Sequence, residues 1–206
     1  MTGAERRAQL IVVAREVFAE KGFAGASVEE VAHRGHVSKP VVYEHFGGKD
    51  GLYAAVVDTE MGELLGRISR ELSAAAVEHP RELLAHAAVA FLGYIEEHTD
   101  GFRVLVRDSP ESGSGGFVSL LGELARRVEA VLERDFARLD IELGLAALYS
   151  QALVGMVVLS GQWWLEAGGP DRDEVAAHLV NLVWHGLSGI DPVGEMLFGY
   201  GIHPTG

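Results

Sequence analysis

The residues best suited to chemistry lie early in the chain, within the stretch VSKPVVYEHFGGKDGLY over residues 37 to 53. Lys39, Val41, Val42, Tyr43 and His45 would stand at the front of a short helix, and Lys49 opens the next. Ammonium, phenol and imidazole donors suit phosphate oxygens and base edges, which is recognition rather than turnover. Either Val42 or Val41 would turn inward beside Val37.

Catalytic constellations are missing. The 206 residues include no cysteine, which removes thiol nucleophiles, thiolate metal sites and disulfides and fits a reducing cytoplasm. No GxSxG elbow occurs, and GGKDG lacks the spacing of a phosphate-binding loop. His33 and His36 form a metal pair without a third ligand nearby, and His178 and His185 read more plainly as an interface pair than as acid and base. No catalytic residue and no metal ligand is assigned.

Positioning the early donors requires particular elements. Leu10, Val13, Ala14, Val17 and Phe18 fall at helical spacing over residues 4 to 21, and EKGFAGAS stops that helix at Gly22. Ser27 reads as an N-cap with Glu30 completing a capping box for VEEVAHR, whose inward face is Val28, Val31 and Ala32. After the turn GHV a second short helix begins around Ser38 to Pro40. A proline in the first turn loses no hydrogen bond and already has a helical φ, so Pro40 marks a start. The residue before it, Lys39, is pushed toward extended geometry.

Further helical segments are predicted at 49 to 76, 80 to 98, 101 to 108, 116 to 139, 141 to 166 and 172 to 189, and the biased stretch Ser109 to Gly116 reads as a loop. The segment from Lys49 would reach about 40 Å and looks like a connector. No stretch alternates like a strand, so the chain is read as all-α, with a head at residues 1–50 and a larger domain at 51–206.

Charge divides the same way. Residues 1 to 53 hold seven basic and seven acidic side chains, while the rest hold ten against 23, the whole of the net charge of −13. Only the head can approach a polyanion. Between Glu142 and Glu166 lie 23 uncharged residues. They are long enough to span a bilayer, but the polar residues inside the run and its acidic flanks favour a buried or interface helix of a soluble protein.

Two short helices joined by a tight turn, between a helix before and a long one after, have the layout of a helix-turn-helix head, although a short amphipathic helix in a bundle has the same spacing. SVEEVAHRGHVSKPVVYEHFGGKDGLY resembles the helix-turn-helix signature of the tetracycline-repressor (TetR) family, matching at Ala32, Val37, Ser38, Tyr43, Phe46, Lys49 and Leu52. The resemblance implies that Tyr43 and Lys49 contact phosphate, that Ser27 caps and anchors the first short helix, and that Lys39, Pro40, Val41 and Val42 face the groove of operator DNA. The family usually has glycine immediately before the VS pair, where this chain has His36. Either His36 takes the positive φ of that turn or Gly35 relocates it.

Such regulators are two-fold dimers reading palindromic operators, with a ligand in the C-terminal domain that changes the spacing of the heads. The segments at 141–166 and 172–189 carry enough apolar surface for a dimer interface, and Gly155 and Gly161 permit close helix approach. Candidate ligand contacts are Phe91, Tyr94, Phe102, Leu105, Phe117, Leu121, Leu124, Tyr149, Leu153, Met156 and Trp163, a mainly apolar set, with Arg103, Arg107, Arg126 and Arg127 available to an anionic head group.

VSKPVVYEHFGGKDGLYAAVVDTEM, YIEEHTDGFRVLVRDSP and LYSQALVGMVVLSGQWWL are similar to actinobacterial members that regulate fatty-acid synthesis and sense long-chain acyl-CoA. The expectation is a cytoplasmic, ligand-responsive regulator of lipid genes with an acyl-CoA effector. The competing readings are a repressor of an efflux or catabolic gene sensing another apolar molecule, an acyl-CoA-acting enzyme, and a helical interaction module.

Overall fold

The computed structural model describes residues 2–74, 80–107, 116–139 and 141–187, and these are all-α. Helices α1 (Gly3–Gly25), α2 (Val28–Arg34) and α3 (Lys39–Phe46) form the head, and α4 (Lys49–Ala74) runs from it into the body. The body comprises α5 (Pro80–Glu97), α6 (Thr99–Val106), α7 (Gly116–Leu139), α8 (Gly144–Ala167) and α9 (Arg172–Leu187). The loop predicted at 109–116 lies, apart from Gly116, outside the described residues.

Helix starts follow from capping. Thr2 and Glu5 make a reciprocal capping box that opens α1 one residue earlier than its apolar periodicity indicates. Regular helix breaks at Gly22 (φ 70°), as predicted, but a further turn continues to Gly25. Ser27 caps α2 by accepting from the Glu30 N–H at 3.2 Å. The expected reciprocal half is absent, because the Glu30 carboxylate accepts from Lys21 at 2.7 Å and from Arg34 at 2.8 Å instead. Lys39 is the first helical residue of α3 and Ser38 is the extended N-cap (ψ 153°), so the bend before Pro40 lies one residue earlier than expected.

The turn between α2 and α3 resolves the choice between His36 and Gly35. His36 adopts φ 53° while Gly35 stays right-handed at φ −79°. Gly35 is needed for space: a Cβ there would lie 2.9 Å from Leu10 Cδ2 and 3.0 Å from the Val31 carbonyl oxygen. The corner between α3 and α4 has the same logic, since a Cβ on Gly51 would lie 1.9 Å from the Phe46 carbonyl oxygen.

Apolar burial organises the chain around two main cores. The head core gathers Leu10, Phe18, Val31 and Val42 and also recruits Leu52, Tyr53 and Val56 from α4 and Val104 from α6. The body core joins Leu64 of α4 to Phe91, Phe102, Leu124, Val158 and Leu179. A smaller cluster ties the end of α7 to the start of α8 through Leu132, Phe136, Ile141 and Ala146.

Among the described residues, α8 is the one helix long and apolar enough to cross a membrane. One of its faces packs inward through Ala146, Ser150, Val154, Val158, Gly161 and Trp164. Gly161 is a close approach, with Ile95 Cδ1 2.7 Å from where its Cβ would be; Gly155, expected to be similar, meets nothing within 4 Å. Its other face leaves Leu148, Leu159 and Trp163 exposed, joined by Leu182 of α9.

Candidate nucleic-acid interface and apolar cavity

Helix α3 presents Ser38, Lys39, Pro40 and Tyr43 to solvent, with Val41, His45 and Lys49 half-buried. The Ser38 hydroxyl makes no capping bond. Val42 is 0% exposed and packs in the head core, which corrects its place among the groove-facing residues; of the two valines it is the one that turns inward.

The head's cations divide by partner. Arg15, Lys21, Arg34 and Lys39 are each engaged by a carboxylate. Lys39 pairs with Glu29, and that hydrogen bond raises the lysine's pKa and lowers the glutamate's. Arg6, Arg7 and Lys49 have softer partners. Arg6 donates to the Gln9 amide oxygen at 2.8 Å, the Arg7 guanidinium lies 5.1 Å from the Phe46 ring centroid, and Lys49 donates to the Ala24 carbonyl at 3.3 Å above the Phe23 ring. Arg7 thus reaches the end of α3, a placement that only folding reveals, since its sequence signal is no more than an early ERR.

In the body, a cavity of about 400 Å³ opens between α4, α5, α7, α8 and α9. Its walls are aliphatic and aromatic, and its charged lining residues are Asp135 and Arg138, paired at 3.3 Å in the last turns of α7. Phe91, Leu124 and Leu153 line it. The other described candidates lie elsewhere. Phe102 and Leu105 are sealed in the body core, and Leu121 packs half-buried against that core. Tyr94 is committed to a buried carboxylate described below, and Tyr149 meets the Phe136 ring edge-on at 5.8 Å. Met156 is half-buried outside the cavity wall, and Trp163 is 60% exposed. The Phe117 side chain lies outside the described residues.

The four arginines considered for a head group are engaged elsewhere too. Arg103 pairs with Asp100 at 3.3 Å, Arg126 with Glu123, and Arg127 with Glu123 at 3.1 Å, while Arg107 donates to the Ala19 carbonyl of the head at 3.0 Å. Arg138, which the sequence did not single out, is the cation at the cavity.

Head and body meet at Glu60, which is 2% exposed. Its Oε1 accepts from Arg15 of α1 at 3.0 Å and its Oε2 from the Tyr94 hydroxyl of α5 at 2.8 Å. Burial, then the Glu60 charge, pushes the Tyr94 phenol well above its ordinary pKa, so it remains a donor.

Two family models match the chain: "Bacterial regulatory proteins, tetR family" over residues 10–56, and "Tetracyclin repressor-like, C-terminal domain" over residues 80–186. The chain belongs to the TetR family. A curated relative, the HTH-type transcriptional activator FasR of Mycolicibacterium smegmatis, is 31% identical over 189 residues, covering 89% of this chain and 84% of its own. A TetR-like regulator from Rhodococcus sp. RHA1 is 27% identical with a TM-score of 0.74, covering 92% of this chain and 100% of that one. FadR from Bacillus subtilis, solved with stearoyl-CoA, is 19% identical with a TM-score of 0.74 over 89% of this chain and 99% of its own, and shows the fold alone.

As a TetR-family member the chain is a DNA-binding, ligand-responsive transcriptional regulator of homodimeric architecture rather than an enzyme. In that frame α2 and α3 lie in the helix-turn-helix head, which the long α4 joins to the larger helical domain of α5 to α9.

Proposed function

We propose that this TetR-family regulator controls lipid or fatty-acid metabolism genes in the cytoplasm and that its effector is a long-chain acyl-CoA. The observation that carries the reading is the cavity. Its walls are aliphatic and aromatic and its charged lining residues stand together in the last turns of α7, the arrangement an alkyl chain with one polar end requires. The stearoyl-CoA complex of FadR, a protein of the same fold, points to the same ligand class.

In this reading the division at 1–50 and 51–206 separates operator reading from ligand sensing and dimerisation. Helix α3 enters the major groove with Ser38, Lys39, Pro40, Val41, Tyr43 and His45 forward, Lys49 holds phosphate, and Ser27 fixes α2 behind them. The dimer forms through 141–166 and 172–189, whose exposed Leu148, Leu159, Trp163 and Leu182 are apolar and unpaired within one chain. Ligand shifts α4, and the shift changes the fit of two heads to half-sites about 34 to 36 Å apart. A coupling of about 1 to 3 kcal/mol changes operator affinity roughly 5- to 150-fold.

The test is a gel shift on DNA upstream of this gene and of neighbouring lipid-synthesis genes, titrated with palmitoyl-CoA against free CoA. A specific shift altered by the acylated form alone supports the reading. A specific shift indifferent to both leaves the regulator and removes the lipid effector.

A further inference from the structure

Glu60 sits where an apolar residue would cost less. Four residues before it on α4, Val56 is fully buried in the head core, and four residues after it Leu64 is fully buried in the body core. One face of the connecting helix therefore reads apolar, carboxylate, apolar, and the carboxylate forms the layer between the two cores.

Burying an anion is unfavourable unless it is paired and hydrogen-bonded. Here both oxygens are engaged: Oε1 by Arg15 at 3.0 Å from α1, and Oε2 by the Tyr94 hydroxyl at 2.8 Å from α5. His98 Nδ1 faces Oε2 at 3.7 Å, and its other ring nitrogen lies 3.0 Å from Arg67 Nη2. The α6 backbone closes the chamber at Gly101, where a Cβ would lie 2.0 Å from Glu60 Oε2.

Four helices thus converge on one carboxylate. Apolar packing is indifferent to small rotations, whereas hydrogen bonds of this length weaken steeply off their line. A layer made of such bonds fixes an angle. We propose that Glu60 is a positioning residue, which sets the orientation of the reading head against the body by holding Arg15 of the head to Tyr94 of the body. It acts through the head and touches neither DNA nor effector, and it stands whether or not the effector is an acyl-CoA.

The experiment uses the absence of native cysteine. Val12→Cys, exposed on α1, carries one nitroxide per protomer, and pulsed electron paramagnetic resonance reads the head-to-head distance distribution in the homodimer. Three backgrounds are compared: Glu60→Gln, which keeps the shape but removes the anion; Tyr94→Phe, which removes one hydrogen bond and keeps the ring; and Val175→Ala, a body-core truncation on α9 outside the cavity wall.

Glu60→Gln is expected to broaden the distribution and to weaken operator binding about tenfold, within the range of ordinary coupling between sites. Tyr94→Phe should broaden it less, and Val175→Ala, though less stable, should leave its width unchanged. Should Glu60→Gln fail to fold, broadening by Tyr94→Phe at unchanged melting temperature carries the same conclusion. Distributions and operator affinities equal to the parent's in both chamber variants overturn the proposal. So does equal broadening by Val175→Ala, because the effect would then be one of stability alone.

Discussion

The Lys39 ammonium rests on the Glu29 carboxylate at the front of α3, so the cation that the proposed reading sends into the groove already has a partner. In that reading, DNA binding exchanges that partner for a phosphate or a base. Glu29→Gln removes both the competitor and a negative charge from the face that meets a polyanion. Operator affinity should rise roughly two- to fivefold, the scale of a single rim charge. Fluorescence anisotropy at matched salt measures it, and equal or weaker binding by the variant would falsify the role given to Lys39.

Arg34 anchors α2 to α1 through Glu20 and to its own helix through Glu30. The Arg34 hydrogen bond lowers the Glu20 pKa, and for Glu30 the larger cause is Lys21, followed by Arg34. Both carboxyls titrate lower in the folded head than in the unfolded chain. Their contribution to stability is therefore complete above the ordinary carboxylate range near 4.3 and is lost as pH falls through the depressed folded values. The difference in melting temperature between the parent and the double variant E20Q/E30Q should be present at pH 7 and shrink toward pH 3. A difference that does not change with pH would remove these pairs from the account.

His36 carries a left-handed backbone that glycine adopts without strain. His36→Gly should gain at most about 1 kcal/mol, because relief of the strain is partly offset by the freer unfolded chain. Its neighbour behaves oppositely. Gly35→Ala drives a methyl against Leu10 and should lose about 1 to 3 kcal/mol. Urea denaturation of the two variants reads both signs, and a stabilising Gly35→Ala would show the packing argument wrong.

Filling the cavity separates sensing from reading. Leu124→Trp should reduce palmitoyl-CoA affinity at least tenfold by calorimetry, with operator binding in the absence of effector unchanged, since Leu124 lies in the body. Arg138→Gln tests the charged end independently, and a smaller loss is expected there because water already reaches that side chain. Undiminished binding by Leu124→Trp would place the ligand elsewhere.

Charge on the exposed apolar face of α8 should break the dimer. Leu159→Arg, at a position 56% exposed in the single chain, is expected to give a monomeric mass by light scattering and to lose cooperative operator binding. A dimer that survives this change and Leu182→Arg uses another surface.

The helices were legible because their signals are local. Ser27, Pro40 and Gly22 act within a turn of themselves, and the apolar periodicity of α1 needs no knowledge of its partners. The cavity was not legible, because it is the space left where α7, α8 and α9 fail to close, and its wall at Val131, Leu132 and Val157 is made of residue types found in any core. Aromatic side chains drew the sequence reading toward Tyr94 and Trp163, one of them bonded to Glu60 and the other on the surface. Glu60 leaves a local trace: Val56, Glu60 and Leu64 recur every four residues, which places an acid on the apolar stripe of α4.

Helix α6 places two consecutive residues in different interiors. Val104 completes the head core and Leu105 belongs to the body core, while Arg107 just beyond reaches back to the Ala19 carbonyl. The head is thus not a portable cassette. A chimera that exchanged only residues 1–50 between relatives would set a foreign α1 against a native α6, so recombination between such regulators succeeds best when the α6 segment travels with the head it completes.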